Sequence, residues 1–149
     1  MPFFSSRNKA AFGAIDKDSG GSASWWFSGK LIVNSVLLVE AWALRIACVA
    51  ARDLGLNDAM FETDCLELIN YVSNCKSDCA WEISTIVEDI RFLARNRNWS
   101  FTWCNRSKNR AAHWIAHCSS QMISWPSRSC PAGLSSIVES DGCISDALA

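Results

Sequence analysis

Two carboxylates stand out by where they fall. Glu40 sits inside an apolar repeat, beside Leu37, Ala41 and Leu44, where an acid is costly to bury without a partner or a cation. Asp64 closes the strand-like run Ala59-Met60-Phe61-Glu62-Thr63, and the C-terminal end of a strand is where an open sheet builds its sites. Other catalytic constellations are missing: there is no G-x-S-x-G elbow, no H-E-x-x-H and no glycine-rich phosphate loop. Cys118 follows His117 directly, and neighbours on a helix point apart, which makes a poor thiol dyad. Asp16 and Asp18 resemble the start of a calcium loop. The twelfth position is Phe27, however, where a bidentate Glu is required, so they are turn residues. Cys75 and Cys79 have no partnering Cys/His pair at a finger-like spacing, which argues against zinc.

The charge is unevenly spread. Residues 1–90 hold seven Lys and Arg against twelve Asp and Glu, whereas residues 91–120 hold six Lys and Arg and no acid. A basic block that also carries Trp99, Trp103, Trp114, His113 and His117 is an electrostatic footprint for phosphate. A solvated helix face backed by core tryptophans has the same composition, so the block alone does not choose between the two. Asn98-Trp99-Ser100 and Asn105-Arg106-Ser107 fit the glycosylation pattern, but no signal peptide precedes them and they are expected to be unmodified.

Elements that position these residues follow from periodicity. Ala10–Ile15 and Ser22–Phe27 flank Asp16-Lys17-Asp18-Ser19-Gly20-Gly21, a hairpin with glycines in its reversal. From Ser35 as N-cap, Leu37, Ala41, Leu44, Cys48 and Ala51 recur at helical spacing until Gly55 stops the pattern. A strand over 59–63 precedes a helix from Leu66 to about Ser73, then a loop over 74–80. Ile83, Ile86, Val87, Ile90, Leu93 and Ala94 mark another helix, and Trp99, Phe101 and Trp103 alternate as a strand. A last helix is expected from Ser107 or Lys108 to about Ser119. Residues 121–149 lack an apolar period and read as an irregular tail.

With 149 residues, 50% of them hydrophobic and 19% charged, and a net charge of −1, the chain has the size and composition of one folded domain. The apolar stretch 31–51 carries Glu40 and Arg45 at its centre, which argues for a buried helix over a membrane span. The eight cysteines are expected as thiols of an intracellular protein, nuclear or cytoplasmic and not secreted. Strands and helices in this order suit an α/β fold, a mixed sheet with helices on its faces.

Four segments carry a family resemblance: Phe12-Gly13-Ala14-Ile15-Asp16-Lys17-Asp18, Val39-Glu40-Ala41-Trp42-Ala43-Leu44, Phe61-Glu62-Thr63-Asp64-Cys65-Leu66-Glu67-Leu68-Ile69 and Asn105 through Ala116. In this order and with these gaps the chain resembles the plant ribonuclease H type-1 domain, found alone or behind reverse-transcriptase segments. The resemblance implies a ribonuclease H-like fold over 10–120, with a five-stranded mixed sheet, and metal-dependent cleavage of the RNA strand of an RNA/DNA hybrid. It implies Mg²⁺, or Mn²⁺, held by four acids. Glu40 and Asp64 match the second and third as metal ligands. The first falls at or before Met1, where there is no Asp, so residues 1–9 read as the remnant of an N-terminally truncated domain with its first strand missing. At the fourth, the family's Asn-x-x-Ala-Asp is Asn109-Arg110-Ala111-Ala112-His113, which places His113 in the catalytic set beside Glu40 and Asp64. Arg106, Lys108, Asn109 and Arg110 are the expected nucleic-acid contacts, with help from Lys17 or Lys30.

Two hard cations about 4 Å apart need clustered carboxylates. Two acids can hold one Mg²⁺ with water and not a competent pair, and imidazole is a poor ligand for magnesium. The expectation is a nucleic-acid-binding domain of the RNA/DNA-hybrid ribonuclease family, weak or inactive in turnover. A silent binding module or a structural fragment is the alternative.

Overall fold

The computed structural model describes residues 9–18, 20, 23–33, 35–74, 78–118 and 124–127. The hairpin pairs β1 (Lys9–Lys17) with β2 (Ala23–Ile32), in antiparallel register from Lys9 opposite Ile32 to Lys17 opposite Ala23. In its turn, Asp18 Oδ1 accepts a hydrogen bond from the Gly20 amide at 2.9 Å, the local backbone capture that favours Asp in reversals.

Helix α1 (Val36–Asp53) starts where its sequence signals place it: Ser35 Oγ accepts from the Leu38 amide at 3.2 Å. Gly55 ends it with φ +72°. The amides of Leu56 and Gly55 then close on the carbonyls of Ala51 and Arg52, the paired capping that a left-handed residue after a helix allows. Nine residues of α1 are buried, and five of them are alanines. That small-residue surface lets the helix lie close to β1 and to the second sheet at once.

The second sheet is the parallel pair β3 (Asp58–Thr63) and β4 (Asn98–Trp103), in register from Asp58 opposite Asn98 to Thr63 opposite Trp103. Helices α2 (Leu66–Ser73) and α3 (Ser84–Ala94) form the crossover that a parallel pair requires. Phe61 stacks on Phe101 with centroids 5.1 Å apart and meets Trp99 edge-on at 5.0 Å. Beneath the hairpin, Trp25 stacks on Phe27 at 5.7 Å. The chain continues through a 3₁₀ turn at Arg106–Lys108 into α4 (Arg110–Cys118). Helix α4 packs on β1 so tightly that a Cβ on Gly13 would stand 2.6 Å from the Ala112 carbonyl oxygen.

Three features depart from the sequence expectation. Among the described residues the strands form two sheets, ordered β1-β2-β5 and β3-β4, where the resemblance implies one five-stranded sheet. Among the described residues no strand pairs with both β1 and β3, and α1 bridges the two sheets instead. The first strand that the resemblance implies lies outside the described residues. Second, Ser124–Ser127, within the expected irregular tail, form β5 along the far edge of β2, with Ser28 opposite Ser124 and Trp26 opposite Ser127. An edge strand's open backbone groups recruit extended chain whatever its side-chain period. Third, Lys17, expected to help bind phosphate, is buried with 2% of its surface exposed, whereas Lys30 is exposed. Strand β1 is covered on both sides near its end, and Lys17 is covered with it.

Candidate functional site

The ends of β3, α1 and α4 converge. Thr63, the last residue of β3, is fully buried and its hydroxyl serves two partners. It donates to Glu40 Oε2 at 3.3 Å and accepts from the Cys65 amide at 3.2 Å. The second bond shapes the turn that projects Asp64. The first ties that turn to Glu40 on α1, so the two expected acids meet at one site, where the Asp64 charge acts on Glu40.

Asp64 is held from the 3₁₀ turn and α4. His113 Nε2 lies 3.1 Å from Oδ2, Asn109 Nδ2 donates to Oδ1 at 3.4 Å, and Arg106 Nε stands 4.0 Å from Oδ2. The Asp64 side chain is 12% exposed. A carboxylate only accepts, so Nε2 is the ring nitrogen that carries the proton toward it. Its carbonyl accepts from Trp103 Nε1 at 3.2 Å. Asn105 begins the turn by accepting the Ser107 amide on Oδ1 at 3.0 Å, and the Asn109 carbonyl accepts the His113 amide. Thus the sequence Asn105–His113 is wound so that three of its side chains face one acid.

Glu40 holds its proton more tightly than a free glutamate. Burial is the main cause and the Asp64 charge adds to it, while His113, the Thr63 hydrogen bond and Arg106 act the other way. A small cleft opens beside these groups, lined by Phe12, Gly13, Glu40, Asn109 and His113 among others.

The donor set can be tested against two divalent cations. Both Asp64 oxygens already accept hydrogen bonds, the Arg106 guanidinium stands 4.0 Å from Oδ2, and among the described residues no three His, Cys, Asp or Glu side chains form a metal cage. A two-metal clamp does not fit these residues. What the arrangement does provide is a carboxylate pair in which Asp64 is hydrogen-bonded from the protein side on both oxygens.

The basic block divides in two. Arg91 donates to the carbonyls of Tyr71, Val72 and Asn74 at the end of α2. Arg95 lies over Phe92, and Arg97 lies over Trp99 while donating to the Leu93 carbonyl. These three serve the fold. Arg106, Lys108 and Arg110 are exposed at the rim of the site, while Asn109, expected beside them, is half-buried with its amide on Asp64. Sequence reasoning missed Thr63, whose signal was only its place as the last inward residue of an alternating strand, and Trp103, which it had counted within the block and given no separate role.

A family described as reverse transcriptase-like matches residues 3–119. Among solved structures, RNase H1 from the halophilic archaeon Halobacterium salinarum superposes with a TM-score of 0.68 at 22% identity, over 76% of this chain and 88% of that one. The N-terminal RNase H domain of a Mycobacterium tuberculosis protein, solved as a maltose-binding-protein fusion, gives a TM-score of 0.54 at 15% identity, over 73% and 88%. No curated protein matches the chain.

Proposed function

Because the chain belongs to the reverse transcriptase-like family and has an RNase H-like fold, we propose that it binds RNA/DNA hybrid or related nucleic acid and cleaves it weakly or not at all. The carrying observation is that Asn109 and His113 occupy the two oxygens of Asp64. A carboxylate satisfied by protein donors has less to offer a magnesium ion, which demands near-ideal oxygen geometry. Glu40 and Asp64 together remain able to hold one Mg²⁺ or Mn²⁺ with water, and residual turnover would run through that pair.

Binding needs none of this. Arg106, Lys108 and Arg110 are exposed within five residues of one another, a spacing that suits successive phosphates, and backbone charge with groove shape carries most of the affinity for such helices. Cys48, Cys65 and Cys79 are free thiols, which supports a reducing compartment, nucleus or cytoplasm. No helix among the described residues is long and apolar enough to cross a membrane.

The test is a fluorescence-anisotropy titration of a labelled RNA/DNA hybrid at several salt concentrations. Affinity should fall steeply with salt, each neutralised phosphate contributing about −0.9 to the slope of log K against log salt on duplex DNA and less on other forms. Absence of salt-dependent binding would leave a structural domain without a nucleic-acid ligand.

A further inference from the structure

Trp99 and Trp103 stand at the two ends of β4, and both are anchored by their ring nitrogens: Trp99 Nε1 donates to the Leu56 carbonyl at 3.0 Å and Trp103 Nε1 to the Asp64 carbonyl at 3.2 Å. Their faces differ. Trp99 is half-buried, with Phe61 edge-on at 5.0 Å and the Arg97 guanidinium 5.1 Å from its centroid. Trp103 is 49% exposed, and among the described residues no aromatic ring or guanidinium covers it. A large apolar ring left open to water while its polar edge is fixed to the backbone is an unfilled contact.

Its surroundings say what would fill it. Trp103 and Arg106 both reach Asp64, one through its carbonyl and the other toward Oδ2, so the indole and the start of the exposed basic turn both adjoin that residue. Lys108 follows two residues further on, also exposed. A flat π-surface flanked by cations is the pairing that single-stranded nucleic acid uses, bases on aromatic rings and phosphates on Lys and Arg. Inside a duplex every internal base already has both faces stacked, and only an unpaired or splayed nucleotide can offer one.

We propose that Trp103 is a stacking platform for an unpaired nucleobase, and that the chain prefers nucleic acid with a single-stranded nucleotide next to the Arg106–Lys108 turn. The inference rests on the nucleic-acid-binding reading above and narrows its ligand to a class. Since the Asp64 carbonyl already fixes the indole, little side-chain freedom is lost when the base arrives, which favours binding.

The experiment compares a labelled single-stranded oligoribonucleotide with a blunt-ended RNA/DNA hybrid of the same sequence, using the full chain and its Trp103→Ala, Trp103→Leu and Trp103→Phe variants. Trp103→Ala and Trp103→Leu should weaken single-strand binding about fivefold to a hundredfold, the range seen when a stacking aromatic is removed. Trp103→Phe should keep most of the affinity, and the salt slope should not change in any variant. Binding of the blunt hybrid should stay within about twofold, because stacking platforms act on exposed base faces. Single strand should also quench tryptophan emission in the parent chain more than in Trp103→Phe. If the parent chain binds the single strand and the Ala and Leu variants bind it equally well, stacking at Trp103 is wrong while nucleic-acid binding stands. If those variants lose both probes equally, Trp103 acts as a strut for Asp64 and the proposal falls. If the parent chain binds neither probe, the broader reading fails and takes this one with it.

Discussion

His113 Nε2 lies 3.1 Å from Oδ2 of Asp64, tying the first turn of α4 to the end of β3. At the position where the four-acid pattern implied by the family resemblance has an aspartate, this chain has a side chain that attracts Asp64 instead of repelling it. Asp64 is thereby held from the protein side.

Replacing His113 with Asp should reverse it. The variant sets a carboxylate against Asp64 and removes a bond from a carboxylate that is mostly buried, a loss of about 1 to 3 kcal/mol. Thermal melting in chelator should fall by several degrees, and millimolar Mg²⁺ should return part of the loss by binding only the folded state. Equal melting of variant and parent in chelator would mean that the His113 bond contributes nothing.

Glu40→Gln tests the buried acid through pH. Burial and the Asp64 charge raise the Glu40 pKa above its ordinary 4.5, so the folded chain holds this proton more tightly than the unfolded chain does. That contribution is present in full below the ordinary value and is lost as pH rises through the folded value. Gln stays neutral and still accepts from Thr63. The variant should therefore melt above the parent at pH 7, with the gap closing as pH falls through the raised folded value toward 4.5 and staying closed below it. A variant less stable than the parent at pH 7 would show that the fold depends on the Glu40 charge.

Gly13→Ala should loosen α4. The added Cβ would meet the Ala112 carbonyl oxygen at 2.6 Å and the Ala116 nitrogen at 2.7 Å, both backbone atoms that cannot swing away. Overpacking of this kind costs about 1 to 3 kcal/mol. Because α4 carries His113 and Arg110, nucleic-acid affinity should fall along with the melting temperature. Unchanged affinity in a destabilised variant would detach the binding surface from α4.

The basic block offers a separation of roles. Arg91→Ala strips the carbonyls of Tyr71, Val72 and Asn74 of their donor and should cost about 1 to 3 kcal/mol of stability. Lys cannot reproduce a planar fork, so Arg91→Lys should recover little. Neither should alter the salt slope of binding. The triple replacement of Arg106, Lys108 and Arg110 by Ala should do the opposite, flattening the slope with little change in melting. The same slope in both would place the phosphate contacts elsewhere.

Local signals in the sequence carry most of this architecture. Ser35 and Gly55 bound α1, and the apolar stripe of 83–94 and the alternation in 98–101 appear as α3 and β4 because burial there is periodic, a period that breaks at Thr102 and the exposed Trp103. Glu40 and Asp64 are visible because each breaks or ends a periodic pattern. What is not legible depends on distant pairing. The split between β1 and β3 and the docking of Ser124–Ser127 on β2 arise from which edges meet, and no local period encodes that. The start of α4 shifts to Arg110 because Asn105 caps a 3₁₀ turn first. Lys17 and Arg91 read as generic cations in the sequence; only their surroundings make one buried and the other a cap.

With Asp64 satisfied by protein donors, the chain is expected to bind hybrid without efficient turnover. Single-turnover cleavage of an RNA/DNA hybrid, in Mg²⁺ and then in Mn²⁺, tests it most directly when run at a concentration where anisotropy shows the hybrid bound. Losing about 4 kcal/mol of transition-state stabilisation from an incomplete clamp already costs about a thousandfold in rate. The prediction is bound, intact hybrid, or at most slow cleavage that improves in Mn²⁺. Rapid Mg²⁺-dependent cleavage that Glu40→Gln abolishes would contradict it and show that Glu40 and Asp64 suffice for catalysis despite His113.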